Sequence, residues 1–333
     1  MKQAIAQLLI AQKGNYISGE EISKLLAVSR TAVWKHINSL KEEGYQIVAA
    51  PRRGYCLVER PDILSMVEIK TGLETKILGQ NLLCFPLVDS TNEVVKREAA
   101  AGAPEGTVVV AEQQEQGKGR LGRQWVSLPA VGLWFSVLLR PEIIPAQAAQ
   151  LTFVSAVAVC RALRAVTGLP LLIKWPNDIL LGQQKVCGIL TELSAEIEGI
   201  DYVVAGIGIN VNQQLEEFPP ELRDTTISLA LAAGHSFSRA ELLRKILQEY
   251  EEQYRLYLEK GFAPIRSSWR KLNATLGKEV LVSTREGSFT GVAEDINEDG
   301  CLLIKKDSGE REALIAGDVS LRGSLMTKSK SNS

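Results

Sequence analysis

The sequence predicts a multidomain protein: an N-terminal winged helix-turn-helix, a central α/β domain on a mixed sheet, and a small C-terminal β-barrel. Three observations carry this. In residues 1–62, apolar positions recur at helical spacing behind two capping signals and give way to two strand-like runs. From about residue 66, strands alternate with amphipathic helices. After Trp269-Arg270-Lys271 only short strands remain, with Gly291, Gly300 and Gly309 at their turns or bends. A chain of 333 residues has room for two or three domains, and a hydrophobic fraction of 45% supplies their cores.

Ala4, Ile5, Leu8, Leu9 and Ile10 outline the first helix. Ser18 with Glu21 is a capping-box pair opening a second through Ile22, Leu25 and Leu26. Ser29 caps a third, whose Val33, Ile37 and Leu40 make one buried stripe before Gly44 stops it. Thr31, Lys35 and Asn38 lie opposite that stripe with Arg30 and Trp34 flanking, so the exposed face can reach base edges and phosphates. Strand-like runs at 45–49 and 54–58, joined by Pro51-Arg52-Arg53, add a basic wing. Residues 1–58 carry eight Lys/Arg against four Glu, a local excess of +4 in a chain of net charge −1. The module reads as DNA-binding, with a small helical packing or dimerisation module as the alternative. His36, nearer the apolar side of its helix, reads as a packing residue.

In the central part, a strand ending at Val88 runs into Asp89-Ser90-Thr91-Asn92 and a helix over 94–101. Short polar residues at such a junction offer hydroxyls and N–H groups to a ligand, or simply cap the helix. A strand over 107–112 then delivers Gln113 and Gln114 to Gly117-Lys118-Gly119-Arg120-Leu121-Gly122-Arg123-Gln124-Trp125. Three glycines let backbone approach a ligand, and three fixed cations neutralise oxyanions. Gly117, Gly119 and Gly122 match the dinucleotide-binding spacing, but Lys118, Arg120 and Arg123 stand where that fingerprint relies on bare backbone. The run reads as a cover over a phosphate-bearing or nucleotidyl ligand, or as a basic surface loop.

A strand over 132–139 and a helix over 148–167 precede Lys174-Trp175-Pro176-Asn177-Asp178. Polar groups packed round a rigid Trp-Pro make poor core, because buried charges must be paired. Asn177 and Asp178 can hold a divalent cation or orient phosphates, and Lys174 can meet phosphate charge. Lys185 lies in a hairpin turning at Gly182 and, beside Gly188, projects either toward the same cleft or to the surface. The strand over 203–211 has the interior of a buried one, yet it carries Gly206 and Gly208 and ends near Asn210. Glycine weakens a central strand, so close approach by a ligand or by a neighbouring element explains it. The amphipathic helix over 238–259 needs no ligand.

Five scattered cysteines, with no Cys-x-x-Cys pair, suggest neither a disulfide framework nor a zinc site and point to a reducing, cytoplasmic setting. No signal-peptide profile is present. The longest apolar helical segment, 151–166, is interrupted by Arg161 and Arg164, short of the roughly 20 residues a span needs, so no membrane role is expected.

Together the glycine-basic run, the Lys-Trp-Pro-Asn-Asp segment, Lys185 with Gly188, and the strand ending Gly206-Ile207-Gly208-Ile209-Asn210 stand in the order and spacing of one family. Over about residues 1–325 the chain resembles the bifunctional biotin–protein ligases that also repress biotin operons. The resemblance implies a winged helix-turn-helix at 1–62, a catalytic domain at 63–270 with the class II synthetase-like biotin/lipoate ligase fold, an SH3-like β-barrel at 271–326, and a disordered tail at 327–333. It implies ATP with Mg²⁺, biotin as substrate, and biotinyl-5'-AMP as intermediate and corepressor. The implied partners are a biotin carboxyl carrier protein of acetyl-CoA carboxylase or another biotin-dependent carboxylase, operator DNA, and a second copy in a ligand-promoted homodimer.

Residue by residue, Lys185 is similar to the family's carboxylate and acyl-phosphate lysine. Arg120 and Arg123 belong to the loop that orders over the adenylate, Arg120 retaining the intermediate, and Trp125 is similar to the residue that packs by the adenine. Ser90, Thr91 and Gln113 match positions bonding the biotin head group, with Asn92, Gly117, Gly119 and Gly188 nearby. Lys174, Asn177, Asp178 and Asn210 fall on the nucleotide side, Asp178 as the metal candidate. Lys118 and Leu121 stand where some members have arginine, which leaves the adenylate's residence time open. Cys187 is expected to be structural. Three other readings stand beside this one: a repressor that binds an effector without turnover, a lipoate–protein ligase, and a ligase that has lost repression. The phosphate-handling residues argue against the first, and the basic wing against the last.

Overall fold

The structure, a computed structural model, describes residues 1–321 apart from 13, 197–198, 285–286 and 316, and the chain packs as two compact units, Met1–Leu73 and Glu74–Ser333. The tail expected at 327–333 and the end of the last expected strand, Ala316, lie outside the described residues.

In the first unit α1 (Lys2–Ala11), α2 (Gly19–Leu26) and α3 (Arg30–Glu42) precede β1 (Gln46–Ala50) and β2 (Gly54–Glu59), an antiparallel pair. Both serines cap their helices: Ser18 Oγ accepts from the Glu21 N–H at 3.0 Å, the serine half of the expected capping box, and Ser29 Oγ accepts from the Ala32 N–H at 3.2 Å. Val33, Ile37 and Leu40 pack with Ile5, Leu9 and Ile22 into one core. A further helix, α4 (Met66–Lys70), follows Pro61-Asp62 within this unit. Its Val67 joins that core, and its buried Glu68 accepts from the Tyr45 hydroxyl at 2.7 Å and pairs with Arg60.

The second unit is built on seven strands: β3 (Leu82–Phe85), β4 (Val108–Ala111), β5 (Gly132–Leu139), β6 (Leu172–Lys174), β7 (Asp178–Leu181), β8 (Gln184–Glu196) and β9 (Gly199–Asn210). Their order is β3-β4-β5-β9-β8-β7-β6, with β3 parallel to β4 and every other pair antiparallel, a mixed sheet as expected. Register across β5, β9 and β8 aligns Ser136 with Gly206 and Gly188 with Gly208. Helix α5 (Thr91–Ala100) covers the face bearing Ser136 and Gly206, its Val95 and Ala99 packing on Val109, Leu138 and Val204. Helix α6 (Gln150–Thr167) reaches the opposite face, where Thr152 Oγ1 donates to Thr191 Oγ1 at 2.9 Å. By length and composition Pro145–Thr167 could cross a membrane, contrary to the reading of its arginines, but 67% of its apolar 18-residue stretch is buried inside the fold. Helices α8 (Arg239–Lys260) and α9 (Phe262–Leu272) pack against it, and α7 (Leu229–Ala233) is tied to the end of β9 by the Ala230 N–H, which donates to the Val211 carbonyl at 2.8 Å.

The C-terminal strands, β10 (Glu279–Ser283), β11 (Ser288–Ile296), β12 (Leu302–Lys306), β13 (Arg311–Leu314) and β14 (Asp318–Leu321), correct one expectation. They form an open five-stranded antiparallel sheet in the order β13-β12-β11-β10-β14, not an SH3-like β-barrel. Closure requires the two edge strands to exchange backbone hydrogen bonds. Among the described residues β13 pairs only along β12 and β14 only along β10. Alternation along short strands shows which residues face a core, but not whether the edges meet.

Candidate active site

A cavity of about 330 Å³ lies on the α5 face of the sheet. Ser90, Thr91, Asn92, Lys118, Gly119, Arg120, Arg123, Trp125, Lys174, Asn177, Asp178, Lys185 and Gly188 all line it. Three candidates do not. Gln113 uses its carbonyl to accept from the Val88 N–H at 3.2 Å, and the cavity residue is its neighbour Gln114. Successive residues of an extended segment face opposite ways, so a one-residue error exchanges wall for exterior. Gly117 has no room for a side chain, since a Cβ there would lie 2.3 Å from the Trp125 carbonyl oxygen. Asn210 lines a smaller adjoining cavity of about 60 Å³.

Neutral polar groups form one end of the main cavity. Gln114 Oε1 accepts from the Thr91 N–H at 2.8 Å and from Thr91 Oγ1 at 3.0 Å, while Gln114 Nε2 donates to Ser127 Oγ at 2.8 Å. Ser136 Oγ lies 2.7 Å from Thr91 Oγ1 and 2.5 Å from Asn92 Oδ1. Ser90 heads α5 without a side-chain cap bond, so the plain N-cap reading does not describe it. Sequence reasoning missed Gln114 and Ser136. For the latter the available signal is the alternation of β5, which puts Ser136 and Trp134 on one face.

The other end is charged. Lys185 Nζ lies 2.6 Å from Asp178 Oδ1, an ion pair outside hydrogen-bond geometry, and 5.2 Å from the centre of the Trp125 ring. Arg120 Nη1 donates to Asn177 Oδ1 at 3.1 Å, and Asn177 Nδ2 donates to the Ile189 carbonyl at 2.7 Å. The glycine-basic run is a tight turn in which the Gly119 N–H meets the Arg123 carbonyl at 2.7 Å, with Leu121 exposed at a φ of 57°. Lys118 Nζ is drawn to Glu93 Oε1 on α5, 2.7 Å away.

The C-terminal sheet supplies part of this wall, which sequence reasoning did not foresee. Trp175 Nε1 donates to the Gly300 carbonyl at 3.2 Å, the Trp175 N–H to Thr275 Oγ1 at 3.0 Å, and Arg120 Nη2 to the Gly317 carbonyl at 3.5 Å. Val319 and Ser320 line the cavity directly. No local signal could have linked residues 275–320 to the Lys-Trp-Pro-Asn-Asp segment.

Asp89, just ahead of the cavity, is held down at about 2 by the Arg97 guanidinium and by the Ser90 N–H at 2.7 Å. Burial pushes the Cys187 thiol far above its ordinary range. Among the described residues no group of three His, Cys, Asp or Glu side chains could enclose a metal, and Asp178 is the one carboxylate lining the main cavity. One carboxylate beside a cationic lysine suits a magnesium ion arriving on phosphates, which keeps most of its ligands from water and substrate.

In the first unit Arg30, Thr31, Trp34 and Arg52 line a groove of about 800 Å³ between α3 and the wing. Lys35 is exposed, Asn38 is half-buried, and Arg53 stacks on Tyr16 with its guanidinium carbon 4.0 Å from the ring centre.

Comparison with known proteins matches these parts in order. Residues 2–56 match the HTH domain, 84–210 the Biotin/lipoate A/B protein ligase family, and 275–322 the Biotin protein ligase C terminal domain. The bifunctional ligase/repressor BirA of Bacillus subtilis is 43% identical over 314 residues, covering 94% of this chain and 96% of that protein. The chain belongs to the bifunctional ligase/repressor BirA family. This ligase/repressor is also 30% identical to the Escherichia coli BirA over 95% of its length. The chain also resembles the biotin protein ligase from Aquifex aeolicus in complex with biotin and ATP, at 37% identity and a TM-score of 0.64. That match covers 73% of this chain and 99% of the other. The ligase/repressor is thus an enzyme of the biotin–protein ligase class joined to a helix-turn-helix.

Proposed function

We propose that this ligase/repressor joins biotin to ATP in its main cavity and passes the biotinyl group to a lysine of a biotin carboxyl carrier protein. The observation that carries this reading is the meeting of Lys185, Asp178, Arg120 and Asn177 at one end of a cavity whose other end is neutral and hydrogen-bonding. An uncharged ureido head group suits the Ser90, Thr91 and Gln114 end, and a carboxylate meeting a triphosphate suits the cationic end.

In the first half-reaction a biotin carboxylate oxygen attacks the α-phosphorus, the bond to the bridging oxygen breaks, and pyrophosphate leaves. Bound with the triphosphate, a magnesium ion offsets its charge, and Asp178 is the side chain able to meet it. Lys185 stabilises the carboxylate and then the acyl-phosphate oxygens, and Arg120 and Arg123 neutralise the phosphate and exclude water from the mixed anhydride. In the second, the neutral ε-amine of the carrier lysine attacks the acyl carbon, AMP leaves with the bonding electrons, and the nitrogen loses a proton. Lys174 and Asn210 serve the nucleotide side, with Trp125 against the base.

The adenylate is also the corepressor in this reading. It favours a homodimer that sets two winged helices on a palindromic operator in a cytoplasmic setting, and its differential affinity for the dimer limits the shift. Residues 1–62 read the operator, 63–270 catalyse, and 271–326 complete the site.

The test is single-turnover transfer of radiolabelled biotin to a purified carrier domain with Mg·ATP, comparing wild type with Lys185→Ala. ATP-dependent labelling that falls at least about a hundredfold in the variant is the expected result. No transfer, with biotin-dependent retention of operator DNA, would make the protein an effector-binding repressor.

A further inference from the structure

The smaller cavity beside Trp125 is walled by Val126, Leu128, Phe218, Pro219 and Leu222. On this apolar slot stand three side chains with buried polar atoms that have no hydrogen-bond partner: Trp125 Nε1, Asn210 Nδ2 and Gln213 Oε1. Asn210 is 4% exposed and Gln213 3%. Buried polar atoms are nearly always paired, so three orphans around one slot mark a place shaped for a ligand that pairs them.

The orphans are complementary. Ser228 Oγ donates to the Gln213 main-chain carbonyl at 2.7 Å, and the Gln213 side-chain Nε2 donates to Asn210 Oδ1 at 3.3 Å. This contact turns the two amides in opposite senses, leaving an N–H donor on Asn210 and a C=O acceptor on Gln213. A 6-aminopurine offers the reverse pair, a ring nitrogen that accepts beside an amine that donates, on a flat apolar ring. A 6-oxopurine offers the opposite polarity, and both amides would have to turn over together to meet it.

We propose that Gln213 is a specificity-determining residue for the nucleotide: its Oε1 accepts from the purine 6-amino group while Asn210 donates to the adjacent ring nitrogen. The proposal rests on the adenylating reaction proposed above and goes beyond it by naming the residue that selects the base.

Biotinyl-adenylate formation is measured with ATP and with purine riboside 5'-triphosphate, which lacks only the 6-amino group, for wild type and Gln213→Met. Wild type should favour ATP by about tenfold in kcat/KM. Gln213→Met should lower kcat/KM for ATP by about tenfold and leave purine riboside triphosphate within about twofold, abolishing the preference. Equal losses with both nucleotides would reduce Gln213 to a packing residue and overturn the proposal. So would equal use of both nucleotides by wild type, whether or not the variant folds. Absence of adenylate formation from wild type with either nucleotide would instead overturn the ligase reading, and this inference with it.

Discussion

The Trp125 indole lies so close to Gly208 that a Cβ on the glycine would sit 2.5 Å from Nε1. Gly188, paired with Gly208 across β8 and β9, is similarly close, a Cβ there falling 2.8 Å from Trp125 Cζ3. The indole therefore rests on a glycine pair, with Lys185 Nζ 5.2 Å from the centre of its ring. Gly208→Ala should displace Trp125, raise the KM for ATP about tenfold or more, and cost about 1–3 kcal/mol by overpacking. Steady-state kinetics and urea unfolding measure both, and unchanged values for each would show that the indole can shift without consequence.

Arg239 is 0% exposed at the start of α8 and donates to Glu112 Oε2 at 2.6 Å and to the Gly132 carbonyl at 3.2 Å. Glu112→Gln removes the counter-charge and leaves the buried guanidinium, so a loss of about 2–4 kcal/mol is expected in urea denaturation. A loss below about 1 kcal/mol would mean that the other partners of Arg239 suffice to hold it.

The Arg97 pair, at 2.9 Å and 3.2 Å, lowers the Asp89 carboxyl from 3.8 to about 2. A depressed folded pKa gives stability that is present in full above the unfolded value and is lost as pH falls through the folded one. The unfolding free energies of wild type and Asp89→Asn should differ by a constant amount from about pH 5 to 7 and converge between about pH 4 and 2. A gap that persists at pH 2 would assign the effect to something other than titration of Asp89.

Cys187 is fully buried, and its thiol is raised far above neutral by desolvation. It should resist iodoacetamide in the native protein at pH 8, and Cys187→Ala should keep adenylation and transfer within about threefold of wild type. A labelled biotinyl-thioester trapped on Cys187 would require a covalent route.

Lys35 is exposed on the face of α3 opposite the Val33, Ile37 and Leu40 stripe. If it meets an operator phosphate, Lys35→Gln should lower the slope of log Kd against log salt by about one and weaken every DNA sequence alike. An unchanged slope would place Lys35 off the backbone.

Local signals were the most legible. Ser18 and Ser29 cap their helices and the α3 stripe is buried, because capping and periodicity are decided within a few residues. The strand bearing Gly206 and Gly208 was recognisable as needing a close neighbour, without saying which. The structure answers with Asn92, whose Oδ1 would lie 2.1 Å from a Cβ on Gly206, and with Trp125 over Gly208. Gln113 and Gln114 are indistinguishable by composition, and only pairing of the segment beside Val88 decides which one faces Thr91.

By itself the sequence determined the order of the parts, the cap and stripe positions, and the chemistry available in each segment, since these depend on neighbours along the chain. Tertiary structure alone decided that the C-terminal sheet stays open and that its Gly300 carbonyl holds Trp175. It also decided that Lys185 meets Asp178, and that Asn210 and Gln213 turn unpaired atoms toward one slot. Those relations depend on strand register and on contacts between residues distant in sequence, where a shift of one position reverses which side chains meet.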